Sequence, residues 1–208
     1  MKTVVKQNLE SVKIVVEEGQ KMQFVLIANG GDAQSNPNEI SKLDFELNGP
    51  GSELSFIGFV IGRESQFYGF ETVSNHLNTH SKAKFSIGAV MFDRSKVDYK
   101  GYIVVPKNAQ YTDAFLNSRV MLAGEESRAK TIPCLEIEAD DVKAGHAAAI
   151  GKVDAEEMFY LQSRGINKKD AEEMLVMSFF ESQLGLIEDL ETRDHVRDIV
   201  IKSLSITK

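Results

Sequence analysis

The sequence has little cysteine, no long apolar stretch and no recognisable leader. Its 208 residues include a single cysteine, so an intrachain disulfide is impossible, which fits a reducing cytoplasm. The longest apolar runs, such as residues 56–61 and 102–105, are far shorter than the ~20 residues that a membrane-spanning helix needs. Met1 is followed by charge rather than by an apolar block, so we expect no signal peptide. These absences predict a cytoplasmic protein without a membrane partner.

Clustered basic residues and the common catalytic motifs are also missing. The chain has 31 Asp and Glu against 24 Lys and Arg, a net charge of −7, whereas a nucleic-acid binder needs grouped Lys and Arg to neutralise phosphates. There is no GxxxxGK[ST], GxSxG or HExxH motif and no CxxC pair. We therefore expect no nucleic-acid partner and no catalytic residues. The pattern favours a protein that works through its surfaces.

What the sequence does contain is a long series of short β-strand signals. Apolar and β-branched residues alternate with polar ones between turn formers. Residues 10–30 predict a hairpin, and residues 29–38 predict a polar loop. Further strands are predicted at residues 43–47, 54–61, 66–73, 84–91, 99–105, 115–122 and 135–139.

Two of these segments read as copies of each other. Residues 55–65 (SFIGFVIGRES) align with 85–95 (FSIGAVMFDRS) when their Ile-Gly pairs are matched, and YGF at 68–70 is echoed by KGY at 100–102. An offset of about thirty residues is typical of stacked coils. Strands without intervening helices fit a sandwich or a solenoid. Glycines at matching places favour the solenoid, because each coil must turn at the same points.

From Asp154 onward the pattern becomes helical. Asp154 and Glu157 have the spacing of a capping box, which predicts a helix that ends near Gly165. Asn167 is placed to cap a second helix, and helical spacing continues beyond it. The chain thus divides into a β-rich core over residues 1–151 and a helical region over residues 152–208. Covering the last coil of a solenoid is one expected role for these helices, and docking a partner is another.

Few side chains near this boundary offer chemistry. His146 stands among small residues and could ligate iron or zinc, although a histidine hydrogen-bonded within a turn is the commoner arrangement. Cys134 is the single thiol, and such a residue is more often a small buried hydrophobe. Glu136 and Glu138 alternate with apolar residues, so they are either hard ligands for iron or the solvated side of a strand.

Two further histidines, His76 and His80, stand four positions apart. That spacing can place both rings on one face of a helix or of a strand. The sequence shows no third ligand near them, so we interpret both as structural.

The stretch that joins the two regions resembles a known family. Residues 135–166 (LEIEADDVKAGHAAAIGKVDAEEMFYLQSRGI) are similar to the C-terminal signature of the SufB/SufD proteins, which are iron–sulfur cluster assembly scaffolds. Residues 105–122 (VPKNAQYTDAFLNSRVML) are similar to the preceding coil of that family. The resemblance covers roughly residues 40–190.

This resemblance implies a right-handed parallel β-helix followed by a small helical subdomain, in a scaffold and not an enzyme. His146 matches the histidine that the family places at its subunit interface, where a transient iron–sulfur cluster forms. The implied partners are the ABC-type ATPase of the Suf system, a second copy or a paralogue, and a sulfur donor protein. The ATPase is expected to bind the C-terminal helices, with Phe159, Tyr160, Arg164, Gly165 and Ile166 as candidate contacts.

Two positions depart from the larger SufB-type members. Ser118 stands where they carry a cysteine, and Ala147 stands where they follow the histidine with a glutamate. Thiolates are the usual cluster ligands, so the chain is SufD-like in its ligand set or is a short form that builds its site differently. Cys134 from two symmetry-related copies is one way to supply two thiolates.

A second hypothesis comes from another class of protein. A β-helix enzyme or binder acting on acidic polysaccharide needs a carboxylate cluster for calcium and a basic residue for proton abstraction. The acids at residues 136–141 could supply the first, but no Lys or Arg cluster supplies the second. The resemblance ranks the scaffold first.

Overall fold

The computed structural model describes residues 1–30 and 39–204, which form a parallel β-solenoid followed by three helices. The loop predicted over residues 29–38 lies almost wholly outside the described residues. No helix in the described ranges is long and apolar enough to cross a membrane. The strands are β1 (Lys2–Lys6), β2 (Val12–Val16), β3 (Lys21–Asn29), β4 (Ser41–Leu47), β5 (Glu53–Gly62), β6 (Phe67–His76), β7 (Lys82–Met91), β8 (Lys96–Val105), β9 (Asp113–Leu122), β10 (Arg128–Ile137) and β11 (Lys143–Lys152); the helices are α1 (Ala155–Ser163), α2 (Lys168–Leu184) and α3 (Leu190–Leu204).

Successive strands alternate between two sheets. The six-stranded sheet has the order β1-β3-β5-β7-β9-β11, and the five-stranded sheet has the order β10-β8-β6-β4-β2. The pairs between neighbouring strands are parallel, as in β3 with β5 and β2 with β4. The hairpin predicted over residues 10–30 is therefore wrong. The chain turns a corner at Gly19, whose φ is 63°, and crosses into the other sheet instead of folding back on β2.

The space between the sheets is filled by a column of aromatic rings. Phe24, Phe56 and Phe85 occupy paired positions on β3, β5 and β7. The ring centroids of Phe24 and Phe56 are 5.8 Å apart, and those of Phe56 and Phe85 are 5.3 Å apart. Phe45 from the opposite sheet meets Phe56 edge-on at 5.6 Å. These rings are almost fully buried, so each coil stabilises its neighbours through large apolar contacts.

The repeat exists, but both sequence alignments of it are in the wrong register. Ile57 pairs with Ser86 and not with Ile87, so matching the Ile-Gly pairs is wrong by one residue. Gly69 pairs with Asp98, three residues before the Gly101 to which it was matched. A one-residue slip reverses the face of every side chain. Here Ile57 packs on the outer face of its sheet, whereas Ile87 lies in the solenoid interior.

The last two strands also differ from the prediction. The strand predicted at residues 135–139 is the end of a longer one, β10, which begins at Arg128 and stops at Ile137. The small residues around His146, predicted as a turn, form the ten-residue strand β11, which pairs with β9. Its sequence is poor in strand formers, so the neighbouring strand, and not local propensity, determines its conformation.

The first two helices begin at the predicted capping residues. The Asp154 carboxylate accepts hydrogen bonds from the amides of Glu156 and Glu157 at 2.7 and 3.2 Å, and Asn167 caps α2 through the Asp170 amide at 3.0 Å. Gly165 follows α1 with a φ of 87°.

The helices do not cover the last coil. Instead α2 and α3 pack on the outer face of β3, β5 and β7, where Val176, Phe180 and Val200 meet Ile27 and Phe59 in a second apolar core. The expectation that these helices cover the last coil is therefore wrong, because the apolar outer face of the earlier strands is what buries them. As a result no helix of residues 1–30 and 39–204 covers the end of the solenoid at β10 and β11.

Candidate functional site

The last coil of the solenoid presents two open sheet edges. β10 is the final strand of the five-stranded sheet and β11 is the final strand of the six-stranded sheet. Each pairs on one side only, β10 with β8 and β11 with β9. The backbone N–H and C=O groups on the other side of such strands are available to another chain.

The interior of the solenoid is also open at this end. Val105 and Val120 are 0% and 4% exposed within the coil. Their partners one coil further on are Ile137 and Ile150, and these are 38% and 45% exposed. No further coil covers them in the part of the chain that the structure describes, so apolar residues of the inward-facing rows remain in contact with solvent. This feature is not visible in the sequence, because the small residues just before Ile150 are typical of a turn.

His146 belongs to the same inward-facing row. Its partner on β9 is Leu116, which is buried in the interior, yet His146 itself is exposed. Gly145 and Ala147 on either side are small, so no large side chain beside it covers the ring. The imidazole therefore lies exposed at the open end of the solenoid.

One protomer does not supply a complete ligand set at this position. Across residues 1–30 and 39–204, no three His, Cys, Asp or Glu side chains are grouped so that they could hold a metal ion. A single imidazole can be one ligand of iron, but a cluster needs several, most often thiolates. A cluster held at His146 would need further ligands from outside the described residues.

Cys134 and Glu136 lie on β10, in the other sheet from His146. Cys134 pairs with Tyr102, whose neighbours Gly101 and Ile103 are buried, so both Cys134 and Tyr102 belong to an outward-facing row. The Cys134 thiol is half-buried, with Sγ 3.9 Å from the Ile132 carbonyl oxygen. The structure does not bring this thiol to His146 within one chain.

Glu136 lies near the end of β10, and Glu138 is the first residue after its last residue, Ile137. The Glu138 amide donates to the Val105 carbonyl at 2.8 Å, and its side chain is exposed. Both glutamates are exposed.

The two positions that depart from the SufB pattern lie beside His146. Ser118 is fully buried on β9, and its hydroxyl accepts a hydrogen bond from Thr131 on β10 at 2.9 Å. It pairs with Ala148 of β11, two residues from His146. Ala147 is exposed. A side chain at 118 thus points into the last coil, beneath the strand that carries the histidine.

The candidate partner residues lie on and just after α1, whose side chains are never buried. Phe159 and Tyr160 are 72% and 56% exposed, and the Arg164 guanidinium lies 5.2 Å from the centre of the Tyr160 ring. Gly165 ends the helix, and the Ile166 amide donates to the Leu161 carbonyl at 3.3 Å. These residues form an aromatic and cationic surface that the rest of the described chain leaves largely exposed.

The histidines at positions 76 and 80 do not form a site together. His76 is fully buried, and its Nδ1 lies 2.7 Å from the Ser81 hydroxyl. Burial lowers the pKa of His76 to about 4, so the ring is neutral. His80 is exposed in the following turn.

Taken together, the fold and this site define a parallel β-solenoid with a helical tail, an open last coil and an incomplete ligand set. The family model described as "SUF system FeS cluster assembly, SufBD core domain" matches residues 6–179. The chain therefore belongs to the SufB/SufD family of iron–sulfur cluster assembly proteins.

Individual relatives agree with this assignment. The chain is 33% identical over 160 residues to the iron-sulfur cluster assembly protein SufD of Bacillus subtilis, covering 76% of this chain and 35% of that protein. It is 32% identical over 134 residues to Escherichia coli SufD, with 64% and 32% covered. Identity to Bacillus subtilis SufB is 26% over 179 residues, with 84% and 36% covered. The chain thus spans about a third of the length of these relatives. Membership of this family favours the scaffold hypothesis over the polysaccharide hypothesis.

Proposed function

We propose that this chain is a scaffold component of Suf-type iron–sulfur cluster assembly and works by pairing through its last coil. The observation that carries the proposal is the inward-facing row of β11, where His146 and Ile150 are exposed although their partners on β9 are buried. Exposed apolar residues beside unpaired sheet edges are typical of a surface that another protein covers. The partner is a second copy of the chain or a paralogue.

The iron–sulfur cluster is the cargo of this site. Pairing would bring one His146 from this chain to the join, and the partner would add its own imidazole or thiolates. A shared site of this kind assembles a cluster when the two chains meet and releases it when they separate, because neither chain holds enough ligands alone. A sulfur donor protein would supply the sulfide.

The ABC-type ATPase of the Suf system is the proposed partner of α1. Phe159, Tyr160 and Arg164 offer aromatic area and a cation, which are enriched at the centres of protein interfaces. ATP hydrolysis would then favour one of two arrangements of the joined coils, exposing or closing the assembly site. The chain acts as the scaffold in this cycle, not as an enzyme.

Anaerobic reconstitution tests the proposal. The purified chain would be incubated with iron, sulfide and the ATPase, with and without the paralogue, and cluster absorbance recorded. We expect absorbance in the parent and its loss in His146→Ala. His195→Ala is the matched control, because His195 is an exposed histidine on α3. Full absorbance in His146→Ala, or none in the parent under either condition, would contradict the proposal.

Ser118→Cys distinguishes a helper from a scaffold that forms clusters unaided. The new thiol would lie inside the last coil, two residues along the row from the position opposite His146. We expect this variant to retain more cluster per chain than the parent, since a thiolate is a stronger cluster ligand than a hydroxyl. Equal retention would show that the parent site is built without this position.

A further inference from the structure

One corner of the solenoid repeats an unusual backbone conformation in four successive coils. Gly19, Gly51, His80 and Tyr111 have φ values of 63°, 71°, 57° and 61°. Each stands two residues before a strand of the six-stranded sheet, and those strands start in register at Lys21, Glu53, Lys82 and Asp113. The four residues therefore form a column along the solenoid.

The last two of the four positions in this column are not occupied by glycine. Glycine adopts positive φ without steric cost, and the first two coils use it. Histidine and tyrosine at the same point are strained, because their Cβ atoms crowd the backbone. Burial does not offset this strain, since His80 is exposed and Tyr111 is 55% exposed. Strain of this kind persists only where the surrounding structure holds the backbone in place.

The two strained residues form an exposed aromatic step. Their ring centroids are 4.7 Å apart, with an angle of 34° between the planes. The His80 amide donates to the Gln110 carbonyl at 2.9 Å, which ties the two turns together. Leu77 in the same turn is 37% exposed, so the apolar area extends beyond the rings.

The next coil places two acidic residues, Asp140 and Asp141, beside this step. The Tyr111 amide donates to the Asp141 carbonyl at 2.6 Å, and the Asp141 amide donates to Gln110 Oε1 at 2.9 Å. Asp140 and Asp141 are both exposed, and neither has an ion-pair partner among the described residues. Glu138 adds a third exposed acid, against the exposed cations Lys107 and Lys143.

We propose that this corner, defined by Leu77, His80, Tyr111, Asp140 and Asp141 and called here the aromatic corner, binds an arginine- or lysine-bearing segment of a partner protein. A guanidinium or ammonium group is attracted to the face of an exposed ring and pairs with a neighbouring carboxylate. The aromatic corner provides both groups on adjacent turns. The chain's net charge of −7 adds long-range attraction for such a segment. This site goes beyond the proposed scaffold function and requires neither iron nor the ATPase.

Fluorescence anisotropy of a small peptide tests the site. The probe is acetyl-Arg-Gly-Trp-Gly-Arg-amide, whose indole reports alone because the chain has no tryptophan. The control peptide has Glu in place of both Arg residues. We expect saturable binding of the arginine peptide that weakens as salt is added, and no binding of the glutamate peptide.

Tyr111→Gly is the decisive variant, because glycine is the residue that this column uses at Gly51. It removes the ring and relieves the backbone strain. We expect binding to fall about tenfold while the melting temperature stays the same or rises. Unchanged binding, or a lowered melting temperature that shows the ring to be structural, would overturn the proposal.

A charge-matched pair of variants completes the test. Asp140→Asn/Asp141→Asn should weaken binding, whereas Glu125→Gln/Glu126→Gln should not, although it changes the net charge equally. Glu125 and Glu126 are exposed in the turn between β9 and β10, at another corner of the coil. An equal loss in both pairs would show general electrostatic attraction and contradict a site. Because the assay contains no iron, its outcome is independent of cluster assembly.

Discussion

Gln183 of α2 reaches into the six-stranded sheet and donates its Nε2 proton to the carbonyl oxygen of Gly58, 3.3 Å away. Its side-chain oxygen lies against Gly88 of the next strand. Gln183 is 6% exposed, so a polar side chain from the tail is seated in a notch that glycine leaves open. The position of α2 on the sheet depends on this notch.

Gly88→Ala should therefore destabilise the fold. The added Cβ would collide with Gln183 Oε1, and α2 would have to shift away from the sheet. We expect the free energy of unfolding to fall by ~1–3 kcal/mol, measured by denaturant titration. Gly151→Ala is the matched control, because a Cβ there meets nothing within 4 Å. If the collision is the cause, Gln183→Ala should recover part of the loss in the double variant.

The buried His76 should make stability depend on pH. Burial lowers its pKa from an ordinary 6.5 to about 4, so the unfolded chain binds more protons than the folded chain between these values. Stability from this group is complete above pH 6.5 and is lost as the pH falls toward 4, by about 3 kcal/mol at most. His76→Gln should flatten the pH dependence of unfolding by that amount. The exposed His80 offers the control substitution His80→Gln, and equal slopes in parent and His76→Gln would contradict the assignment.

A charge in the open interior row should prevent pairing of the last coils. Ile150→Lys places a cation where the proposed partner would bury an apolar side chain. We expect association with a second copy or a paralogue, measured by sedimentation velocity, to weaken at least about tenfold. The fold should remain stable, because Ile150 is 45% exposed in the free chain. Leu190→Lys, at a 68% exposed position on α3, is the control and should leave association unchanged.

Phe159→Ser should weaken binding of the ATPase without affecting stability. The ring is 72% exposed and no α1 side chain is buried, so the folded chain loses little packing. Truncating a central aromatic of an interface typically costs ~2 kcal/mol, or about thirtyfold in affinity. Calorimetric titration of the ATPase into parent and variant measures the change. Met174→Ser on α2, where the side chain is 49% exposed, is the comparison, and equal affinities for all three proteins would exclude α1 as the contact.

The solenoid could be predicted from the sequence, but its register could not. The recurrence of Ile-Gly pairs reveals a period near thirty residues without saying which glycine faces inward. The pairing of Phe56 with Phe85 fixes the alignment, and it does so through buried ring contacts that no short motif shows. The length of the corners varies from coil to coil. Motifs matched by their sequence alone can therefore be out of register, although the inward-facing residues of neighbouring strands remain paired.

The candidate site was predicted in part for a related reason. His146 could be singled out because small residues surround it, but β11 has the composition of a turn and forms a strand only because β9 pairs with it. Ile137 and Ile150 become exposed only because the coil that would cover them is absent from the described residues. Exposure at the end of a solenoid depends on the whole fold, so a short stretch of sequence cannot predict it.

The position of α2 and α3 affects the order in which the chain folds. The Gln23 side chain on β3 donates a hydrogen bond to the Leu186 carbonyl at 3.0 Å, although the two residues are 163 positions apart in the sequence. The helices therefore cover strands that lie near the start of the chain. During synthesis the apolar outer face of β3 and β5 stays uncovered until residues 168–204 have left the ribosome. The first coils are thus the last to be covered, which leaves their apolar surface exposed on the nascent chain for longest.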